Sequence, residues 1–325
     1  MSPLARGGVY GAVIVTALLT VVALGVWFER KFAGRMQSRL GPTRVGPVGL
    51  LQPLADVVKL LQKEDIIPAE ADGALFTLAP VLCALCAVGG AAVVPFSPTV
   101  LAADLDVGVV WVLAVGGLMV IPTFTAGWAS NNKFALLGGM RAIAQSVSYG
   151  VPLVLAALVP VILSGTMSLA GMVEWQARHH WIAVWPVVPG LPALALFFVA
   201  MLAEANRIPF DIPEAESELV AGVTTEYTGA KFSLFYLAEY AHTLVGSAVA
   251  SALFLGGWHG PFAPGLHWMV LKTLAVFVAV YWVRWSLLRF RSDQLMELCW
   301  KYLTPLGVAL VLAAAAWVQF APGGR

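Results

Sequence analysis

Apolar residues in this chain fall in runs of about 20, separated by short segments rich in charge, proline and glycine. Runs of that length match a hydrocarbon layer roughly 30 Å thick. They predict eight membrane-spanning helices, over 8–28, 74–95, 106–128, 134–163, 184–203, 233–257, 267–288 and 302–320. The run 134–163 opens on polar residues, and 184–203 contains Pro186, Pro189 and Pro192. Proline is tolerated in a membrane helix when neighbouring groups satisfy the freed carbonyls. The first run lacks a small-residue cleavage site and leads into Glu29-Arg30-Lys31, so it is expected to be retained. Segment 41–65 has another pattern. Gly41-Pro42 and Gly46-Pro47 signal turns, and then Leu50, Leu51, Leu54, Val57, Val58, Leu60 and Leu61 recur at helical spacing, with Gln52, Asp56, Lys59 and Lys63 between them. That helix is too short and polar to span, and is expected in the interface plane. It could be a surface anchor or the roof of a cavity for an amphiphilic ligand. The fold class is all-α: one polytopic membrane domain over 1–325, with about eight transmembrane helices and a cytoplasmic amphipathic helix.

Composition excludes a soluble domain: 60% of residues are hydrophobic and 11% charged, where soluble domains carry roughly 25% charged residues. Of the Lys and Arg residues, only Arg6, Arg178, Lys272 and Arg325 fall on one side of the predicted spans. The others lie in or beside 29–73, 129–141, 204–232 and 284–301, which makes that side cytoplasmic and puts both termini outside. Nearly all acids share the cytoplasmic side. Its loops are therefore close to neutral, which suits protein partners better than nucleic acid or anionic lipid. Cys83 and Cys86 sit among apolar neighbours inside a span and read as packing residues. His179 and His180, beside Trp181, read as a wet interfacial pair. Phosphate-loop, dinucleotide, haem and iron–sulfur patterns are absent, so no metal ligand and no covalently bound cofactor is expected.

The candidate chemistry concentrates in the acidic loop 204–232. Between 204 and 226 lie Glu204, Asp211, Glu214, Glu216, Glu218 and Glu226, with one base among them, Arg207. Ionisable groups at membrane depth are costly and mark proton or ion paths by default. Asp211-Ile-Pro-Glu214 reads as a capping box, which would give Asp211 and Glu214 a structural role. Glu216 and Glu218 need another explanation. On such a helix Asp211, Glu214 and Glu218 would share a face, repel one another and raise each other's pKa. Within the next span Glu239 and His242, three residues apart, can pair and extend a proton path inward.

These residues together resemble the H-subunit family of NADH-quinone oxidoreductase, respiratory complex I, whose mitochondrial counterpart is NADH-ubiquinone oxidoreductase chain 1. The resemblance runs from Glu29 to about Leu306. It rests on Glu29-Arg-Lys31, Gly41-Pro-Thr-Arg-Val-Gly-Pro47, Gln52-Pro-Leu-Ala-Asp56 with Lys59, and Lys63-Glu-Asp65. Further on it rests on Gly127-Trp-Ala-Ser-Asn131, Arg141 with Ala144-Gln145, and Ala203-Glu-Ala-Asn-Arg-Ile-Pro-Phe-Asp211. The last motifs are Glu214-Ala-Glu-Ser-Glu-Leu-Val-Ala-Gly222, Glu226-Tyr227, Glu239-Tyr240, and Arg289-Phe-Arg-Ser-Asp-Gln-Leu295 with Trp300-Lys301. The resemblance implies a subunit without a catalytic residue or redox centre of its own, in a proton-pumping complex of a bacterial cytoplasmic membrane. Quinone would be the substrate. FMN and iron–sulfur clusters would sit in partner subunits, and the partners would be the membrane arm and the quinone-reducing peripheral arm. Arg30, Asp56, Lys59, Arg207 and Phe210 would lie along a quinone tunnel. Glu204, Asp211, Glu214, Glu216, Glu218, Glu226, Glu239 and His242 would form a proton path.

One position departs from the family. Its members usually carry Glu after Ser-Tyr in the fourth span, where this chain reads Ser148-Tyr149-Gly150. Water, or a Glu239–His242 pair, could replace that carboxylate, and a new Glu at Gly150 is expected to overpack the site. Two other readings stay open: the equivalent subunit of a membrane-bound hydrogenase or formate hydrogenlyase, and a free-standing ion transporter. No internal repeat supports the transporter.

Overall fold

The computed structural model of the chain describes residues 3–183 and 189–320, with side-chain detail from Gly11 onward and excepting Glu216 and Ser217. The described residues are helical, without strands. In chain order the helices are α1 (Pro3–Met36), α2 (Gln52–Gln62), α3 (Gly73–Ala91), α4 (Gly108–Leu118), α5 (Val120–Ala129), α6 (Lys133–Ser164) and α7 (Leu169–Arg178). They continue with α8 (Gly190–Glu204), α9 (Glu216–Leu219), α10 (Gly229–Phe254), α11 (Leu266–Ser286), α12 (Ser292–Glu297) and α13 (Thr304–Phe320). A π-helical stretch, Leu298–Leu303, joins the last two.

Every predicted span contains a helix, with four adjustments. The run 106–128 is two helices, α4 and α5, meeting at Met119. The fifth run begins as helix only at Gly190, so Pro189 precedes it and Pro192 falls in its first turn; Pro186 lies outside the described residues. Its 15 residues make α8 shorter than a typical span. The amphipathic helix is confined to α2, behind a 3₁₀ turn at Pro47–Gly49. Among the described residues six helical stretches are long and apolar enough to cross a membrane, with α4–α5 and α12–α13 each counted as one; α10 has the length but carries Lys231, Glu239 and His242.

Side chains fix several helix starts. Asp72 Oδ1 accepts from the amides of Ala74 and Leu75, Asn132 Oδ1 from Phe134, and Ser168 Oγ from Gly171. The α6 helix ends at Gly165, whose φ of 68° suits glycine. Packing puts α10 at the centre, against α1, α3, α8 and α11, while α6 holds α5, α8 and α13. By contrast α1 keeps Val13, Leu19 and Leu24 exposed, a surface suited to lipid.

At the end away from the acidic loop, two polar side chains close the backbone. Gln176 Nε2 donates to the carbonyls of Ala252 and Leu253 as α10 ends, and its Oε1 accepts from the Ile182 amide. Lys272 Nζ donates to the carbonyls of Leu255, Gly257 and His259, over the Trp181 ring. In lipid such carbonyls have no water to turn to.

Candidate functional site

The last turns of α1 bring Glu29 inside the fold, 4% exposed. Arg284, in the last turn of α11, reaches it at 2.7 Å, and the Tyr240 hydroxyl of α10 donates to it. Arg207 follows α8 and is the largest fully buried side chain among the described residues, 1% exposed. Its Nη1 pairs with Glu239 at 2.9 Å, its Nε donates to Thr243, and its guanidinium lies 4.3 Å from the Tyr240 ring centre. Two glutamates, two arginines and a tyrosine thus form one network joining α1, α10, α11 and the acidic loop. A buried charge is tolerated when paired and hydrogen-bonded.

The loop folds around that network. Gln145 of α6 lies within hydrogen-bond distance of the carbonyls of Ala203 and Phe210 and of Asn206 Oδ1, at 2.7, 2.9 and 3.0 Å. The Ile208–Pro209 peptide is cis. Phe210, 2% exposed, meets the Phe290 ring at 5.7 Å, and the Phe290 amide donates to Pro209 O. Asp211 pairs with Arg289 at 3.0 Å, Glu218 with Arg141 at 2.5 Å, and Asn132 donates to Glu226 at 2.6 Å.

The capping box expected at Asp211–Glu214 does not form. Residues 212–214 are a turn, helix begins only at Glu216, and Arg289 takes the Asp211 carboxylate. Asp211, Glu214 and Glu218 therefore share no helix face, and Asp211 and Glu218 reach different arginines. The Glu216 side chain lies outside the described residues. The expected Glu239–His242 pair is also absent: Arg207 holds Glu239, while His242 Nε2 faces Glu204 Oε2 of α8 at 3.6 Å.

Of the expected tunnel residues, Arg30 donates to Asp56 at 2.5 Å, and Gln52 donates to the other oxygen of Asp56. These bonds tie α2 to α1, and α2 turns Leu54, Val57, Val58 and Leu61 outward. Lys59 is exposed, whereas Arg207 and Phe210 are buried. Lys231, at the start of α10, pairs with Asp65 at 3.0 Å. Sequence reasoning missed Glu29, Tyr240 and Arg284 as site residues. A signal existed in Glu29 and Arg284, each a charge within a turn of the end of an apolar run. Gly150 is not crowded as expected, since a Cβ placed there meets nothing within 4 Å.

Burial, with the charges of Glu239 and Asp211, pushes Glu214 from the ordinary 4.5 up to about 8, against the pull of Arg207 and Arg284. Burial also raises Asp211 to about 6, although Arg289 draws it down. Burial, more than crowding on one helix face, is the main cause. A carboxyl raised in the folded state stabilises the fold below its unfolded pKa and loses that contribution as pH climbs through the folded one. Thermal stability of the purified protein in its complex should therefore decline from about pH 5 to about pH 8, and Glu214→Gln should flatten the decline. Melting curves across that range test this. An unchanged slope in the variant would show that Glu214 titrates normally.

Fold and site together define a polytopic membrane protein with a buried charge network at one end. A family model described as NADH dehydrogenase matches residues 9–315. The chain is 46% identical over 314 residues to the H subunit of NADH-quinone oxidoreductase from Dehalococcoides mccartyi, covering 97% of this chain and 87% of that protein. It is 46% identical over 321 residues to the corresponding protein of Brevibacillus brevis, with coverage of 96% and 94%. It is 44% identical over 319 residues to that of Rickettsia prowazekii, with coverage of 95% and 93%. The chain belongs to the NADH dehydrogenase family.

Proposed function

We propose that this chain is a membrane subunit of a proton-pumping NADH:quinone oxidoreductase, where it forms the quinone-access tunnel and couples quinone reduction to proton movement. The observation that carries this reading is the buried Glu29–Arg284 and Arg207–Glu239 network, with the Glu204–His242 pair one turn further along α10. A purely structural core rarely holds so many charges, because each must be desolvated. Family membership and the names of the relatives support the same reading and favour a quinone enzyme over a hydrogenase.

In this reading Arg30, Asp56, Lys59, Arg207 and Phe210 flank the tunnel, and the exposed apolar face of α2 meets the quinone tail or the peripheral arm. Glu204, Asp211, Glu214, Glu216, Glu218, Glu226, Glu239 and His242 hold or pass protons. The acidic loop faces the cytoplasm of a bacterium and both termini face away from it. FMN and iron–sulfur clusters belong to partner subunits, and the chain's own residues position quinone and protons.

Replacing Glu216 and Glu218 together by Gln keeps size and removes charge. The complex should assemble, with either the rate of quinone reduction lowered by about 10²-fold, the scale of a lost acid–base group, or fewer protons moved per quinone. Reconstituted liposomes with a pH-sensitive dye measure both. Normal turnover and normal pumping would leave the loop as a solvated surface.

A further inference from the structure

Resting on that reading, we infer that His242 and Glu204, with one water in the cavity beside them, form a proton-holding pair. His242 Nε2 lies 3.6 Å from Glu204 Oε2, and the two side chains are only 12% and 10% exposed. That separation is too long for a direct hydrogen bond, and Nε2 is buried without a hydrogen-bond partner among the described residues. A polar pair at such a distance is suited to a bridging water.

The space for one lies alongside. A cavity of about 20 Å³ is lined by Glu204 and Asn206, by Tyr149 of α6, by Thr123 of α5 and by Gly116 of α4. A water needs roughly 10–15 Å³ and two to four polar partners; four polar side chains line this cavity. Gly116 makes the cavity and the pair one site. A Cβ there would stand 3.4 Å from His242 Cε1 and would collide with the Glu204 carboxyl.

The titratable groups around the pair are few. Glu204 comes from α8 and Tyr149 from α6, while Cys83 of α3 lies behind Thr123 at 4.0 Å. Glu239, one turn earlier on α10, is occupied by Arg207, which also donates to Thr243, the neighbour of His242. From α11, Tyr281 and Arg284 approach Arg207 and Glu29, within the adjoining network.

The pair shares one proton. The proton rests on imidazole Nε2 or on Oε2 of Glu204. Transfer between them breaks the N–H bond at Nε2 and forms an O–H bond at Oε2. The water gives a proton to the carboxylate as it receives one from the imidazolium, and the net charge of the pair stays zero.

The test uses the whole complex in liposomes, comparing His242→Asn, His242→Gln and Glu204→Gln with the native chain. Protons moved per quinone reduced are read with a pH-sensitive dye, and quinone reduction is read separately with an ionophore present. Infrared difference spectra follow the protonated carboxyl band that Glu204→Gln removes. Both His242 variants should lower the proton ratio and should move the pH midpoint of the Glu204 band, which a packing role would leave in place. A normal ratio and midpoint in both His242 variants, with Glu204→Gln impaired, would overturn the pair and leave the proposed function standing. Normal pumping in all three would overturn the acidic path as well. Failure of both His242 variants to assemble would assign His242 to packing and overturn the pair.

Discussion

Replacing Arg207 by Leu is expected to destabilise the protein by roughly 3–5 kcal/mol, the cost of leaving a buried charge without its partner. Arg207 is 1% exposed, holds Glu239 at 2.9 Å and packs over the Tyr240 ring. Leu fills part of the volume and answers neither the carboxylate nor the ring. Quinone reduction should fall with the loss of the network, whereas reduction of a soluble acceptor by the peripheral arm should persist in whatever complex assembles. Thermal melting with the two assays side by side measures the split. Adding Glu239→Leu should return part of the stability, because a buried ion pair replaced whole by apolar groups is often neutral. Unchanged melting and unchanged quinone reduction in Arg207→Leu would show that the network has no energetic or functional role.

Gly222→Ala should disrupt the acidic loop without touching a charge. Gly222 has a φ of +51°, where a Cβ costs roughly 1–2 kcal/mol. That Cβ would also run into the Pro213 carbonyl, a clash worth about 1–3 kcal/mol more. The opposing wall cannot yield readily: a Cβ at Gly138 of α6 would already lie 2.8 Å from the same carbonyl and 2.9 Å from the Val223 amide. Moving this stretch pulls on the Asp211–Arg289, Glu218–Arg141 and Asn132–Glu226 contacts together. Limited proteolysis within 205–228 should rise sharply, and quinone reduction should be lost. Gly150→Ala is the control: a Cβ there meets nothing within 4 Å, so stability should hold. Equal behaviour of the two variants would mean that the loop tolerates displacement.

The sequence by itself determined the all-helical, polytopic character of the chain. Each span is a local property, since about 20 apolar residues in a row leave the chain no alternative to a helix in lipid. The acidic loop, the short helix α2 and the family were legible for the same reason: composition, periodicity and motif are read along the chain. Tertiary structure decided who pairs with whom. Asp211 looked like a helix cap from its neighbours Pro213 and Glu214, yet Arg289, far along the chain, takes its carboxylate and the helix does not form. Glu239 and His242 share a helix and looked like partners, yet Arg207 and Glu204 claim them from two other directions. Glu29 read as the end of a span until α10 and α11 brought Tyr240 and Arg284 to it. Spacing along one helix says which groups can meet. In a bilayer, where a charge without a counter-charge is costly, the helices that pack alongside determine which of them do.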